Sequence, residues 1–558
     1  MFAALLGCLP AVAAGVLILA LGWKAQSGVE SSRYQSMSMY GRDAQVLQDK
    51  SDLHRLGLAQ LLSRRWRGIP ALGLSFNTMA LIGSAAILFG PALIAGGPTV
   101  IGLGFPIVAL LSLPVAAALA ELMSAVPSSG GIYHGAYLLG GRRWALFAGW
   151  LHAIGQLAML ALLTGGCAFL VNRLLAARFG LEVTPMSLGL TATAVCCSLA
   201  AASLWGHIAR QWLAAAGLWL QLVLASAILG GLVWAFWPGD YSPAVLFAFR
   251  DISWNAAAGP EGLLLGSLLL LKLFTGMDGA AQGAEETIEP RISVPWSIFM
   301  SVAFVFAFGF VLLMFMTLTL PSALGSSSNL ATIPLIGGFS GVEWFMQSAL
   351  AGWGGAVILA VLIILSIWFS GVQAAGSCAR TLFAMARDEA LPFSRRLAAV
   401  SVTRQLPVTA IVVTAALSLA LLACFAAAGR NHLMLLLSLG LAGFQLAYAV
   451  PIGLRLKSLL GNRSKIMHEA SLGQGPWHLG SWSKPIHAVA FVWLAASGIL
   501  SAVYVHPGGG AGIAAFLTLA VLREAAIRKR RARMEEGRKV MKKAGRELSR
   551  LEGNYPVN

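Results

Sequence analysis

An all-α integral membrane protein of about twelve transmembrane helices is the fold class this sequence predicts. Composition, the spacing of apolar runs and the placement of charge all point to it. Hydrophobic residues make up 58% of the chain and charged residues 11%, under half the roughly one quarter usual in soluble domains. A surface so poor in charge is not soluble in water, so lipid must be the solvent for much of the chain. A membrane helix needs about 20 mostly apolar residues. Runs that meet or approach this lie near 70–94, 101–124, 144–172, 187–205, 211–237, 263–283, 295–320, 350–378, 407–428, 431–454, 485–505 and 509–523.

The charge pattern tests that count. The net charge is +17, with 39 Lys and Arg against 22 Asp and Glu. On a soluble protein such an excess would suggest nucleic acid. With the N-terminal segment inside, the loops assigned to the cytoplasm hold Arg142, Arg143, Arg210, Arg291, Arg387, Arg395, Arg396, Arg404, Arg455, Lys457, Arg463 and Lys465. The outer loops hold chiefly Arg178, Arg250 and Arg430, offset by Glu182, Asp240, Asp251, Glu261 and Glu343. The positive-inside rule accounts for this alternation without a nucleic-acid partner. Both ends of the bundle then face the cytoplasm, and the expected location is the plasma membrane.

The ends divide the chain further. Residues 1–36 include an apolar stretch, Met1 to Trp23, that no Lys or Arg precedes, so the basic start of a signal peptide is missing. Three readings stand open for it: an extra N-terminal helix, a weak signal, or translation from an upstream start with Met37 or Met39 as the natural first residue. Residues 37–68 read as a polar cytoplasmic segment, 69–525 as the bundle, and 526–558 as a basic cytoplasmic tail. The tail either lies against anionic headgroups or is solvated. Cys8, Cys167, Cys196, Cys197, Cys378 and Cys424 lie in apolar stretches without a CxxC pair, and read as small buried thiols, not metal ligands or a disulfide framework.

Two runs carry helix-weakening residues in their middles. The first contains ALIGSAA at 80–86 and the sixth contains FTGMDGA at 274–280. Unpaired backbone is tolerated at membrane depth only where it lines a cavity. If both runs open, free N–H groups can hold a carboxylate, and free C=O groups an ammonium or a cation. An amino acid carries both charges. The breaks head two successive sets of five runs, the pattern of a five-plus-five inverted repeat. The bland alternative is that the glycines only let helices pack closely.

Six segments carry a family resemblance: AGGP at 95–98; AELMSAVPSSGGIY at 120–133, the most specific; GW at 149–150 with GQ at 155–156; FTGMD at 274–278 through EET at 285–287; ARTLFAMARD at 379–388 through LP at 391–392; and GPWHLG at 475–480. In order and spacing they resemble the amino acid–polyamine–organocation superfamily, and within it the amino acid/choline transporter branch with its 4-aminobutyrate and choline permeases. The resemblance spans about residues 55–525 and implies broken helices 1 and 6 around a substrate. His134 stands where that family usually has an aromatic residue, Met277 where tyrosine is frequent, and Gly283 where a polar residue is common.

The candidate residues follow. Gly83, Ser84 and Ala85 would offer backbone to a substrate carboxylate. Phe274 would form a lid or wall, and Thr275, Gly276 and Asp278 would face the amino group or line the cavity. An acid at membrane depth is costly and functional by default. Asp278 would bind a substrate ammonium, carry a coupling proton, or cap the broken helix. Lys272 would draw in an anionic group or snorkel outward. Glu121 reads as a gate or structural ion pair with Arg142, Arg380 or Arg387, and Glu285 and Glu286 as acids at the cytoplasmic mouth. Gln156, Asn77, Gln221, Gln373 and Gln445 read as interhelical glue. Ser366, Ser370 and Ser377 would either contribute to a sodium site or back-bond to their own helix. His134, His152, His207 and His432 are scattered singly, and no metal-spaced cluster or phosphate loop occurs, so no enzyme, metal or cofactor is expected.

The expected function is a secondary active permease for an amino acid, a 4-aminobutyrate-like or a choline-like amine. Proton, sodium and exchange coupling all stay open. A non-transporting nutrient sensor of the same fold is the alternative, and a membrane enzyme the more distant rival.

Overall fold

The computed structural model describes residues 11–26, 42–236, 242–247, 259–319, 355–401, 405–427, 432–461 and 475–522. Among them the regular structure is helical, apart from one isolated bridge between Trp66 and Thr287. Helix α1 is Ala11–Gln26. In chain order there follow α2 (Arg42–Arg55), α3 (Ile69–Met79), α4 (Leu81–Gly96), α5 (Phe105–Ala125), α6 (Ile132–Gly140), α7 (Arg142–Phe179), α8 (Pro185–Ser203) and α9 (His207–Phe236). Then come α10 (Pro260–Leu270), α11 (Gly279–Gln282), α12 (Pro290–Leu318), α13 (Gly355–Arg387), α14 (Ser394–Leu397), α15 (Val408–Ala427), α16 (His432–Leu460) and α17 (Ser483–Leu500). The last is α18 (Pro507–Leu522).

Among the described residues eleven spans are long and apolar enough to cross a membrane. They overlie the first eleven predicted runs. The chain is therefore a multi-pass membrane protein. The twelfth run also becomes an apolar helix, α18, but a shorter one. The helix before it ends in a π-turn over Ser501–Val505 and an extended His506, which leaves α18 only the residues from Pro507 onward. The run at 1–23 is helical from Ala11. The predicted basic tail at 526–558, Met37 and Met39 lie outside the described residues.

Helix ends are set by local chemistry. Proline enters at the first or second position of α3, α5, α8, α10 and α12, where its missing N–H costs nothing. Thr184 and Ser187 make a reciprocal capping box at the start of α8. Gly97, at φ 69°, ends α4 just before Pro98.

The 38-residue α7 is about 57 Å long, well beyond the ~30 Å hydrocarbon core. It packs on α13 and α16, while α3 packs on α9, α12 and α13, and α10 on α4. Small residues bring α7 and α16 together: a Cβ on Gly443 would sit 2.8 Å from Gly155 Cα. By its internal contacts the chain divides into two units, 1–510 and 511–558. Of the second, residues 511–522 are described, and they continue α18.

Candidate functional site

The first and sixth spans are both broken, and the breaks touch. Between α3 and α4 the chain turns through Ala80 in the left-handed region (φ 57°, ψ 60°). In the sixth span α10 tightens into a 3₁₀ turn over Leu271–Phe274, Thr275 is extended, and Gly276 takes φ 95° before α11 resumes at Gly279. Only glycine adopts φ 95° without strain, and a Cβ there would also lie 3.1 Å from the Thr78 carbonyl. The Thr78 hydroxyl donates to the Gly276 carbonyl at 2.6 Å, and the Ala280 N–H donates to Ser75 Oγ at 2.9 Å. Each break thus supplies polar partners to the other.

The first break lies earlier than its glycine suggests. Gly83, Ser84 and Ala85 are inside α4, and the Ser84 N–H is spent on the Ala80 carbonyl at 2.6 Å. The N–H groups left without a preceding turn are those of Leu81, Ile82 and Gly83; that of Ile82 faces Gln221 Oε1 at 3.4 Å. Gln221 in turn donates to Asn77, which donates to the Ala214 carbonyl. Both residues serve as the interhelical glue expected of them.

Lys272 does not snorkel. It is 1% exposed, and its Nζ donates to the Met79 carbonyl at 3.0 Å and to Ser84 Oγ at 3.2 Å. The last carbonyls of α3 carry the negative end of its dipole, so the ammonium sits against them at the first break. Phe274 packs against Phe105 of α5, ring centroids 5.2 Å apart. Thr275 Oγ1 donates to the Leu271 carbonyl and accepts from Gln445.

Asp278 stands at the start of α11, yet its side chain makes no capping bond. The carboxylate turns instead to three other partners. His152 Nε2 of α7 lies 2.8 Å from Oδ2, Gln282 donates to Oδ2 at 2.6 Å, and the Tyr448 hydroxyl of α16 donates to Oδ1. The chain of bonds continues through Gln282, which accepts from Ser377 of α13, itself contacted by Gln156 at 3.4 Å. Ser377 is thus engaged with Gln282, while Ser370 back-bonds to the Ser366 carbonyl. Gln282 and Tyr448 were missed by sequence reasoning, and His152 was read only as one of four singly scattered histidines. A usable signal existed: His152 and Gln156, Asp278 and Gln282, and Gln445 and Tyr448 stand three or four residues apart, so each pair shares a helix face.

A lattice of ion pairs lies just beyond α11. Glu286 pairs with Arg380 at 2.6 Å and Arg210 at 3.1 Å, and accepts from Trp66 Nε1 at 2.9 Å. Burial alone would push this carboxyl up. The two guanidiniums, with hydrogen bonds from Arg380 and Trp66, overcome that and hold it at about 2. Glu285 takes a bidentate contact from Arg387 and the N–H of Ser129. The segment before the first span closes over both acids. The Arg65 and Trp66 N–H groups donate to the Glu286 carbonyl, and Ile288 N–H to that of Trp66. Burial likewise raises the Asp49 carboxyl of α2 to about 6, even against Arg64.

The segment at 120–133 lies against the broken sixth span. It packs on α11, with a Cβ on Gly131 3.3 Å from that of Ala281, and on the turn after it through Ser129 and Glu285. His134, just beyond it, bonds Ser128 and lies 3.4 Å from Asp388. One pairing differs from expectation. Glu121 meets Arg455 at 3.7 Å and accepts from Ser483 at 3.0 Å, not Arg142, Arg380 or Arg387. α5 packs against α17 and α16, and the three expected arginines are turned to Asp388, Glu286 and Glu285. Among the described residues no group of three or more His, Cys, Asp and Glu could hold a metal ion.

This chain is similar along most of its length to known carriers. A family model described as amino acid permease matches residues 69–522. The amino-acid permease BAT1 of Arabidopsis thaliana is 24% identical over 480 residues, covering 80% of this chain and 87% of the relative. The GABA-specific permease of Saccharomyces cerevisiae is 27% identical over 469 residues, covering 80% and 76%. Amino-acid permease 2 of Neurospora crassa is 24% identical over 493 residues, covering 84% of each. All three relatives are named as transporters and none as an enzyme. The chain belongs to the amino acid permease family, within the amino acid–polyamine–organocation superfamily.

Proposed function

We propose that this permease carries an amino acid or a related amine across the plasma membrane by alternating access, with the substrate held between its two broken spans. The observation that carries this reading is the direct coupling of the breaks through Thr78 and Gly276. A substrate carboxylate fits at the start of α4. There the N–H groups of Leu81, Ile82 and Gly83 and the Lys272 ammonium favour negative charge. The amino group fits against the Gly276 carbonyl and the Thr275 hydroxyl, with Phe274 as wall. Ser84 acts through its hydroxyl, which holds Lys272. The ion-pair lattice around Glu285 and Glu286 is the inner gate, and both ends of the bundle face the cytoplasm; the distribution of loop arginines supports this orientation.

The name of the yeast relative puts 4-aminobutyrate among the substrates to try. Purified protein in proteoliposomes should take up or exchange at least one member of a panel of amino acids, 4-aminobutyrate, choline and polyamines. Absence of both uptake and exchange by folded protein would refute the reading. Ligand-dependent stabilisation without flux would favour the nutrient sensor instead.

A further inference from the structure

We propose that His152 and Asp278 form the proton-binding site that couples transport to a proton gradient. The inference rests on the permease reading and names its coupling ion. His152 is fully buried, Asp278 is 1% exposed, and they meet at 2.8 Å. Asp278 also accepts from Gln282 and Tyr448. Accepting from two donors, the Asp278 carboxyl is in its acceptor-only, ionised form. His152 Nε2 faces the same carboxylate at 2.8 Å without a directed hydrogen bond. The other ring nitrogen, Nδ1, likewise has no hydrogen-bond partner among the described residues, and the ring edge faces Phe444.

An unpartnered basic nitrogen beside a buried carboxylate is a seat for one proton. With Nδ1 bare, the pair carries one buried negative charge in apolar surroundings, which is costly. A proton on Nδ1 turns the imidazole into imidazolium and neutralises the pair. Among the described residues few titratable groups lie against it. Tyr448 comes from α16, Lys272 is turned to Met79 and Ser84, and Glu285 and Glu286 are held by arginines. From α13 the chain of bonds brings Ser377, a neutral hydroxyl, through Gln282.

The site also has a means of release. Asp278 stands in the broken sixth span, whereas His152 and Tyr448 stand on the long continuous helices α7 and α16. Rearrangement of the broken span relative to those helices would separate the pair and leave His152 without its counter-charge. Its proton affinity would then fall, and the proton would leave. Two conformations with unequal proton affinity are what linkage requires for coupling.

The test is uptake of a zwitterionic substrate into proteoliposomes whose interior is one pH unit more alkaline, with the membrane potential clamped. The native protein should accumulate substrate up to about tenfold for one proton per cycle. His152→Gln keeps an amide donor for Asp278 but takes no proton. It should exchange labelled for unlabelled substrate and accumulate none. Exchange without accumulation by the native protein, or undiminished accumulation by H152Q, overturns the proposal. If no panel member is exchanged at all, the substrate reading has failed instead. The proton site is then decided by ¹⁵N spectra of the native protein in detergent. The His152 ring should pass from the neutral to the doubly protonated form on acidification, and a ring in one form throughout overturns the proposal.

Discussion

Glu286→Gln is the substitution whose cost can be worked most fully from the structure. The carboxylate is 1% exposed and contacts Arg380, Arg210 and Trp66. Its carboxyl falls from an ordinary 4.5 to about 2, which corresponds to about 3 kcal/mol favouring the ionised form. Glutamine keeps the shape but leaves two buried guanidiniums without their counter-charge, a change that typically costs about 3–5 kcal/mol. For a bundle of this size roughly 1–2 °C of melting temperature accompanies each kcal/mol, so a fall of about 3–10 °C is expected in detergent. A depressed carboxyl contributes its stability above the unfolded value of 4.5, and loses it as pH falls through about 2. The deficit should therefore be constant from about pH 5 to 8. Adding Arg380→Gln should recover part of it, because one orphaned charge goes with it. A Glu286→Gln protein that melts with the native one would refute the reasoning, since it would mean the lattice is not a buried ionic structure.

Three further outcomes are expected. Asp49, raised from 3.8 to about 6 by burial, keeps its proton in the folded state longer than in the unfolded one; stability should decline by up to about 3 kcal/mol as pH rises through that window, and Asp49→Asn should flatten that part of the melting curve. Gly279→Ala places a Cβ 2.4 Å from the Leu74 carbonyl, so it should lower stability by about 1–3 kcal/mol and depress transport, read by melting and by exchange in proteoliposomes. Ala80→Gly relieves a left-handed alanine, a strain of about 1–2 kcal/mol, and should raise the melting temperature by about a degree after glycine's own entropic cost.

Much of this molecule was legible in its residues, for identifiable reasons. Span length and hydropathy are properties of local sequence, so eleven runs became eleven spans. The sixth-span break was legible because Gly276 and Gly279 occur where other side chains would collide with Thr78 and Leu74. The first break was placed too late because glycine marked the wrong residue. The turn is made by Ala80, and Gly83 instead gives room for Ile367 of α13. The partners of Asp278 were not legible, since nothing local says that α7 and α16 converge on the sixth span. A lone His152 in an apolar run looks like any packed histidine until that convergence is known. Glu121 is a similar case: its partners Arg455 and Ser483 come from helices far along the chain.

The claim that the paired breaks hold the substrate and open to each side in turn can be tested with a single cysteine. Thr275→Cys, in a background with the six native cysteines replaced by alanine and uptake retained, places a thiol at the break, where Thr275 is now 1% exposed. A membrane-impermeant thiol reagent should modify it from either face of the vesicle, and a saturating transported amino acid should slow both reactions. A thiol that reacts from one face only, or at a rate the substrate leaves unchanged, would contradict the account.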